Sequence, residues 1–295
     1  MTGKQIYSQT KQFPLKLLLL GVACAGGALL WFLIWGGIGW AIKNPGIVYF
    51  GFMTAIIGYA ISSNLVAKYI GYMFKYGAVY CVAKSYSTGM VSASYFDDSV
   101  NYIKNGFLKA NAWFVIDRLV NRAVRGVTRL VNFVLGFLPK DVKRFVDTFI
   151  NIYLNYVDEC CLGYSMIHEG ESVVKGSCDG VVLYFQNAKG LLKPALKTSI
   201  RVVLTKGIIY LIAFLIICSS PIVGYIVGMT FALVADAVVT PYLNHRVLCD
   251  TMVAYLEYAT THEVQADLYG TLMKVNPFKK LYNKQADPEF ANATA

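Results

Sequence analysis

Four arginines, at 118, 122, 125 and 129, punctuate the run RLVNRAVRGVTRLV. At ~100° per residue they fall within about 60° of one another on a helix, with Val120, Ala123, Val124 and Val127 opposite. A row of guanidinium groups beside an apolar stripe suits a membrane surface, where each basic residue contributes about 1 kcal/mol against anionic headgroups. Arg118, Arg122, Arg125 and Arg129 are the candidate lipid-headgroup contacts. The plainer alternative is a cytoplasmic helix with its apolar side on protein and its arginines in water.

Asp158 and Glu159 form the second constellation, two adjacent carboxylates inside the apolar run NYVDECCL. Ionisable groups at membrane depth are costly and usually functional. Asp147, eleven residues before Asp158, shares its helical face. Together they would line a cation path or pair with the preceding arginines. The plainer expectation is a helix at the membrane interface, with both carboxylates reaching water or a basic neighbour. Asp236 lies near the inner end of another apolar run, at a depth that allows an ion pair with Arg201 or Lys206 across a hairpin. The sharper reading makes it a contact for a solute or proton.

The seven cysteines lack a CxxC pair and read as small core residues rather than a disulfide framework. Cys160, Cys161, Cys178 and His168 lack structural-zinc spacing, so no metal or cofactor is expected. His168, His245 and His262 fall in charged segments expected to be exposed. No Walker loop, GxSxG, HExxH or GxGxxG is present, and no enzymatic activity is expected.

These residues must be positioned by an unusually apolar chain. It has 295 residues, 56% hydrophobic and 15% charged, with a mean hydropathy of +0.50. Soluble domains carry about 25% charged residues. Uncharged runs of 26, 24 and 29 residues span Leu17–Ile42, Asn44–Ala67 and Gly207–Ala235. A membrane helix needs ~20. The lysines before the first run resemble the start of a signal peptide, but that run is far longer than the 7–15 residues of a signal's apolar region, so a retained helix is expected.

The expected class is all-α and polytopic: two transmembrane helical hairpins plus amphipathic interfacial or cytoplasmic helices. Residues 1–68 form the first hairpin, with helices at about 17–42 and 45–67 joined at the turn signal Asn44-Pro45-Gly46. Residues 69–198 form an amphipathic, membrane-associated region, in which 145–167 is a candidate further span. Residues 199–242 form the second hairpin, bent at Ser219–Pro221, with Gly224 and Gly228 allowing close helix contact. Residues 243–295 form a cytoplasmic amphipathic helix and polar tail.

The net charge is +10, and 18 of the 27 lysines and arginines lie between Lys68 and Lys206. In a membrane protein that excess marks the cytoplasmic side. Both termini are expected inside, in the plasma (inner) membrane, with both hairpin turns outside. The charge would also suit nucleic acid, but no binding module accompanies it and none is expected.

The run NAKGLLKPALKTSIRVVLTK leads into a terminal hairpin, followed by Asp250-Thr251 and Leu256-Glu257. This resembles the carboxy-terminal part of the choline-transporter-like family, over about a third of the chain. The Asp250–Glu257 spacing is one residue short, and that family has about ten membrane helices. The resemblance implies transport and transfers no binding residue. Expected functions are therefore a transporter- or channel-like protein for a small solute or lipid, or a non-catalytic scaffold binding protein partners or anionic lipid. Membrane lipids and a homo-oligomer or membrane complex are the expected partners.

Overall fold

The computed structural model describes residues 1–66, 70–107, 118–126, 156–168, 172–219 and 223–286. All regular structure among them is helical. The chain divides into two compact units, Lys11–Lys75 and the remainder.

The smaller unit holds α2 (Gln12–Ala41) and α3 (Pro45–Val66), packed as a hairpin. Its turn follows from local chemistry. Lys43 adopts φ 56°, the Asn44 side chain accepts from the Gly46 amide at 2.9 Å, and Pro45 opens α3. Proline suits a first helical position because its missing N–H would have had no partner there. Trp35 meets Phe50 edge to face at 5.3 Å, and Trp31 Nε1 donates to Thr54 Oγ1 at 3.0 Å. The outer surface is apolar, with Leu30 63% and Ile57 57% exposed.

In the larger unit, α9 (Ala188–Ser219) and α10 (Val223–Ala259) form a second hairpin; residues 220–222 of the expected bend lie outside the described set. A Cβ on Gly228 would meet Ala213 O at 2.7 Å and Ile217 Cγ1 at 2.6 Å, so this glycine sets the approach of the two arms. Two helices are long and apolar enough to cross a membrane: α2, at mean hydropathy 2.4, and Ile200–Ser219 within α9, at 2.3. Pro45–Tyr59 of α3 is a shorter apolar helix.

The second hairpin, expected to end at residue 242, continues without a break, and Pro241 lies within α10. A proline inside a helix costs about 3 kcal/mol. The turns beyond it recover that cost, because Met252, Tyr255 and Leu256 are completely buried. The expected separate helix after 243 is thus the continuation of α10.

The remaining helices build a core of their own. They are α4 (Tyr72–Thr88), α5 (Tyr95–Phe107), a helical stretch at 118–126 (α6), α7 (Val157–Ile167), α8 (Val173–Gln186), α11 (Ala266–Leu272) and α12 (Asn276–Asn283). Leu162, Leu183, Tyr184, Phe278 and Leu281 are fully buried among them. The central seam is α7 on α8. A Cβ at Gly180 would come within 3.0 Å of Cys161 Cα, and one at Gly176 within 3.1 Å of Ser165 Cα. Spaced four apart, these two glycines share one face of α8 and let the backbones approach. The Tyr255 hydroxyl crosses from α10 to donate to Gly180 O at 3.0 Å.

Within 69–198, the described helices bury their apolar faces against one another. Enough apolar side chains converge for the helices to bury one another. The candidate span at 145–167 falls largely on residues outside the described set; its described part, α7, has 11 residues and is buried in protein. At 1.5 Å per residue, that part alone is too short to span a bilayer.

Candidate functional site

Ahead of the first hairpin, Thr2 begins α1 (Gly3–Gln9) with a capping box. Its side chain accepts from the Gln5 amide at 3.3 Å, while Gln5 Oε1 accepts from the Thr2 amide at 2.8 Å. This box satisfies orphan donors at the helix start, and α1 packs on α10. Contact is closest at Gly3, where a Cβ would lie 2.7 Å from Asp250 Oδ1 and 2.8 Å from Cys249 O. Only a glycine fits there without moving α10.

Asp250 is the hub of the junction. Its Oδ2 accepts from Arg246 Nε at 2.9 Å, one turn earlier on α10, and from Arg201 Nη1 at 3.2 Å, across the hairpin on α9. The Arg246 guanidinium also stands 5.1 Å from the centre of the Tyr7 ring, within cation–π range. Burial raises the Tyr7 pKa, with Arg246 opposing.

His245, one residue earlier, faces inward and is only 6% exposed. The expectation of an exposed histidine fails because α1 covers it. Its Nε2 lies 2.7 Å from Thr10 Oγ1 and 3.8 Å from Cys249 Sγ, and its ring is 5.9 Å from that of Tyr7. With the Thr10 hydroxyl donating to Ile6 O at 2.8 Å, its oxygen is left to accept from His245, which assigns the proton to Nε2. Burial lowers the His245 pKa to about 4, against a smaller opposing effect of the hydrogen bond it donates to Thr10. Burial likewise pushes the Cys249 thiol up. Neither group carries charge at neutral pH.

Beside this network α1, α9 and α10 enclose a groove of about 850 Å³. Lys4, Lys197, Arg201 and Arg246 face one carboxylate, Asp250, while Val238, Val239 and Leu243 supply an apolar wall.

Lys206 and Asp236 pair across the second hairpin at 3.0 Å, with side chains 32% and 31% exposed. Arg201 pairs with Asp250 rather than Asp236. Arg118, Arg122 and Arg125 are exposed on α6 while Val120, Ala123 and Val124 are buried; Arg129 and Asp147 lie outside the described residues.

Asp158 and Glu159 are 4% and 3% exposed, so neither reaches water as an interfacial helix would allow. Asp158 Oδ2 accepts from Asn121 Nδ2 at 2.8 Å, linking α7 to the arginine-bearing helix through an amide. Burial raises Cys160 and Cys161 beside them. Among the described residues no three His, Cys, Asp or Glu side chains gather as metal ligands.

The sequence does not single out Tyr7, Thr10 or Arg246, and it conceals the burial of His245 and the role of Asp250. Two signals were available: the T-x-x-Q capping box at Thr2, and the i,i+4 spacing of Arg246 and Asp250. No protein-family model matches the chain, and no curated protein or solved structure does either.

Proposed function

We propose that the chain is a non-catalytic membrane scaffold, held in the bilayer by two hairpins, whose packed helical body engages anionic lipid and assembly partners on the cytoplasmic side. The observation that carries this reading is the division of apolar surface. Val203, Leu204, Leu211 and Leu215 on α9, like Leu19, Leu29 and Leu30 on α2, are large apolar residues left exposed. Apolar surface on this scale marks a membrane or protein contact. The body instead buries Leu162, Leu183, Tyr184, Phe278 and Leu281 completely.

The charged pair within the second hairpin favours a scaffold over a conduit. Lys206 and Asp236 neutralise each other at 3.0 Å, which pins two helices together. The arginines on α6 and the abundance of basic residues support a cytoplasmic body facing acidic headgroups.

Purified full-length protein should float with vesicles after alkaline washing. Asn44→Cys should react with an impermeant thiol reagent applied outside, and Lys284→Cys should not. Proteoliposomes should hold a choline or sodium gradient as well as empty vesicles do. Protein-dependent flux abolished by Asp236→Asn would replace the scaffold by a transporter.

A further inference from the structure

We propose that the groove between α1, α9 and α10 is a binding site for one anionic glycerophospholipid, with the phosphate held among Lys4, Lys197, Arg201 and Arg246. Those four groups face a single carboxylate, a local charge of +3. Asp250 takes one N–H from each guanidinium, at 2.9 and 3.2 Å, and fixes both. Each guanidinium keeps further donors in its planar fork, a geometry matched to phosphate. Among the described residues no carboxylate pairs with Lys4 or Lys197. Asp250 thus organises the arginines without cancelling the groove's charge.

The apolar wall identifies the occupant as a lipid rather than a free anion. Val238 and Val239 lead along α10 to exposed Val234, and Arg201 sits at the start of the apolar stretch Ile200–Ser219. A phosphate here would have acyl chains running along the hairpin, whereas inorganic phosphate would leave that wall unused. The groove volume of about 850 Å³ accommodates a glycerophosphate headgroup and the first carbons of its chains. The inference rests on the second hairpin lying in the membrane.

The test uses full-length protein in a neutral detergent, with short-chain phosphatidylglycerol or phosphatidylcholine added and retained lipid counted by native mass spectrometry. The parent should retain one phosphatidylglycerol in preference to phosphatidylcholine. Lys4→Gln with Lys197→Gln should reduce that preference about tenfold or more at low salt, since each basic residue near an anionic surface contributes about fivefold. Both lysines are exposed and outside the Asp250 ion pairs, so the fold should persist. Arg122→Gln with Arg125→Gln should leave the preference intact. Equal retention of the two lipids by the parent, or an unchanged preference in the double lysine variant, overturns the groove site. Displacement by excess inorganic phosphate overturns the lipid as occupant. Failure to float with vesicles overturns the membrane reading, whereas floating without headgroup preference overturns the groove alone.

Discussion

The first hairpin and the helical body draw on similar side chains and turn them in opposite directions. In α2 the apolar residues radiate outward, and Gly21 has no heavy atom within 4 Å of a hypothetical Cβ. In α8 the same residue type meets the backbone of α7 at 3.0 Å. Apolar content therefore does not distinguish a helix with an outward apolar surface from a core helix in this protein. The partner available to each face does.

Substitution at the two glycines is the strongest way to break that contrast. Gly180→Val should destabilise the body by about 3 kcal/mol or more, because backbone atoms of Cys161 cannot step aside. Gly21→Val should change the melting temperature in detergent by little. Equal effects at both sites would mean that α2 packs on protein after all.

Acid should act nearly as strongly on the body through His245, and not on the first hairpin. The docked His245 has a pKa near 4, whereas an uncovered histidine titrates near 6.5. The uncovered state therefore binds a proton first as pH falls. Docking of α1 should be fully present above about pH 6.5 and be lost progressively toward pH 4, by at most ~3 kcal/mol. Tyr7 and Thr10 face the ring from α1, Arg246 and Cys249 flank it on α10, and Cys81 of α4 interacts with Cys249. Hydrogen exchange of α1 amides should accelerate across that interval, and His245→Gln should flatten the response.

A smaller effect belongs to the charged pair of the second hairpin. Lys206→Gln leaves Asp236 without its 3.0 Å partner and should cost on the order of 2 kcal/mol. The exchange Lys206→Asp with Asp236→Lys should recover most of it. Thermal denaturation in lipid nanodiscs would measure both; an undiminished loss in the exchanged protein would mean that neighbours, not the pair, set the stability. Smallest of all, Arg122→Gln with Arg125→Gln should leave the melting temperature unchanged. It should weaken binding to anionic vesicles by about 1 kcal/mol per arginine, and only at low salt. Binding equal to that of the parent would assign the arginines to water.

The hairpins were legible because a run without charge needs only local information to be read. Asn44-Pro45-Gly46 marked the first turn, and Arg118, Arg122 and Arg125 fell on one exposed face as their spacing required. The body was harder to read. Asp158 and Glu159 suggested an interface because nothing local reveals their burial or that Asn121 arrives from another helix to meet Asp158. Gly176 and Gly180 passed unnoticed, although their spacing equals that of Gly224 and Gly228, because they lie outside an uncharged run. The boundary expected at residue 242 was overridden by long-range burial at Met252, Tyr255 and Leu256. The groove was invisible for the same reason: its basic residues come from positions 4, 197, 201 and 246, and only the folded chain makes them neighbours.

The continuity of α10 through Pro241 also has a mechanical meaning. At 1.5 Å per residue its 37 residues form a shaft about 55 Å long. Its apolar end packs on α9 at Gly228, and its other end anchors Tyr255 against the α7–α8 seam. A rigid rotation of the shaft would therefore carry Asp250 and His245 with it, coupling the second hairpin to the ion-pair hub.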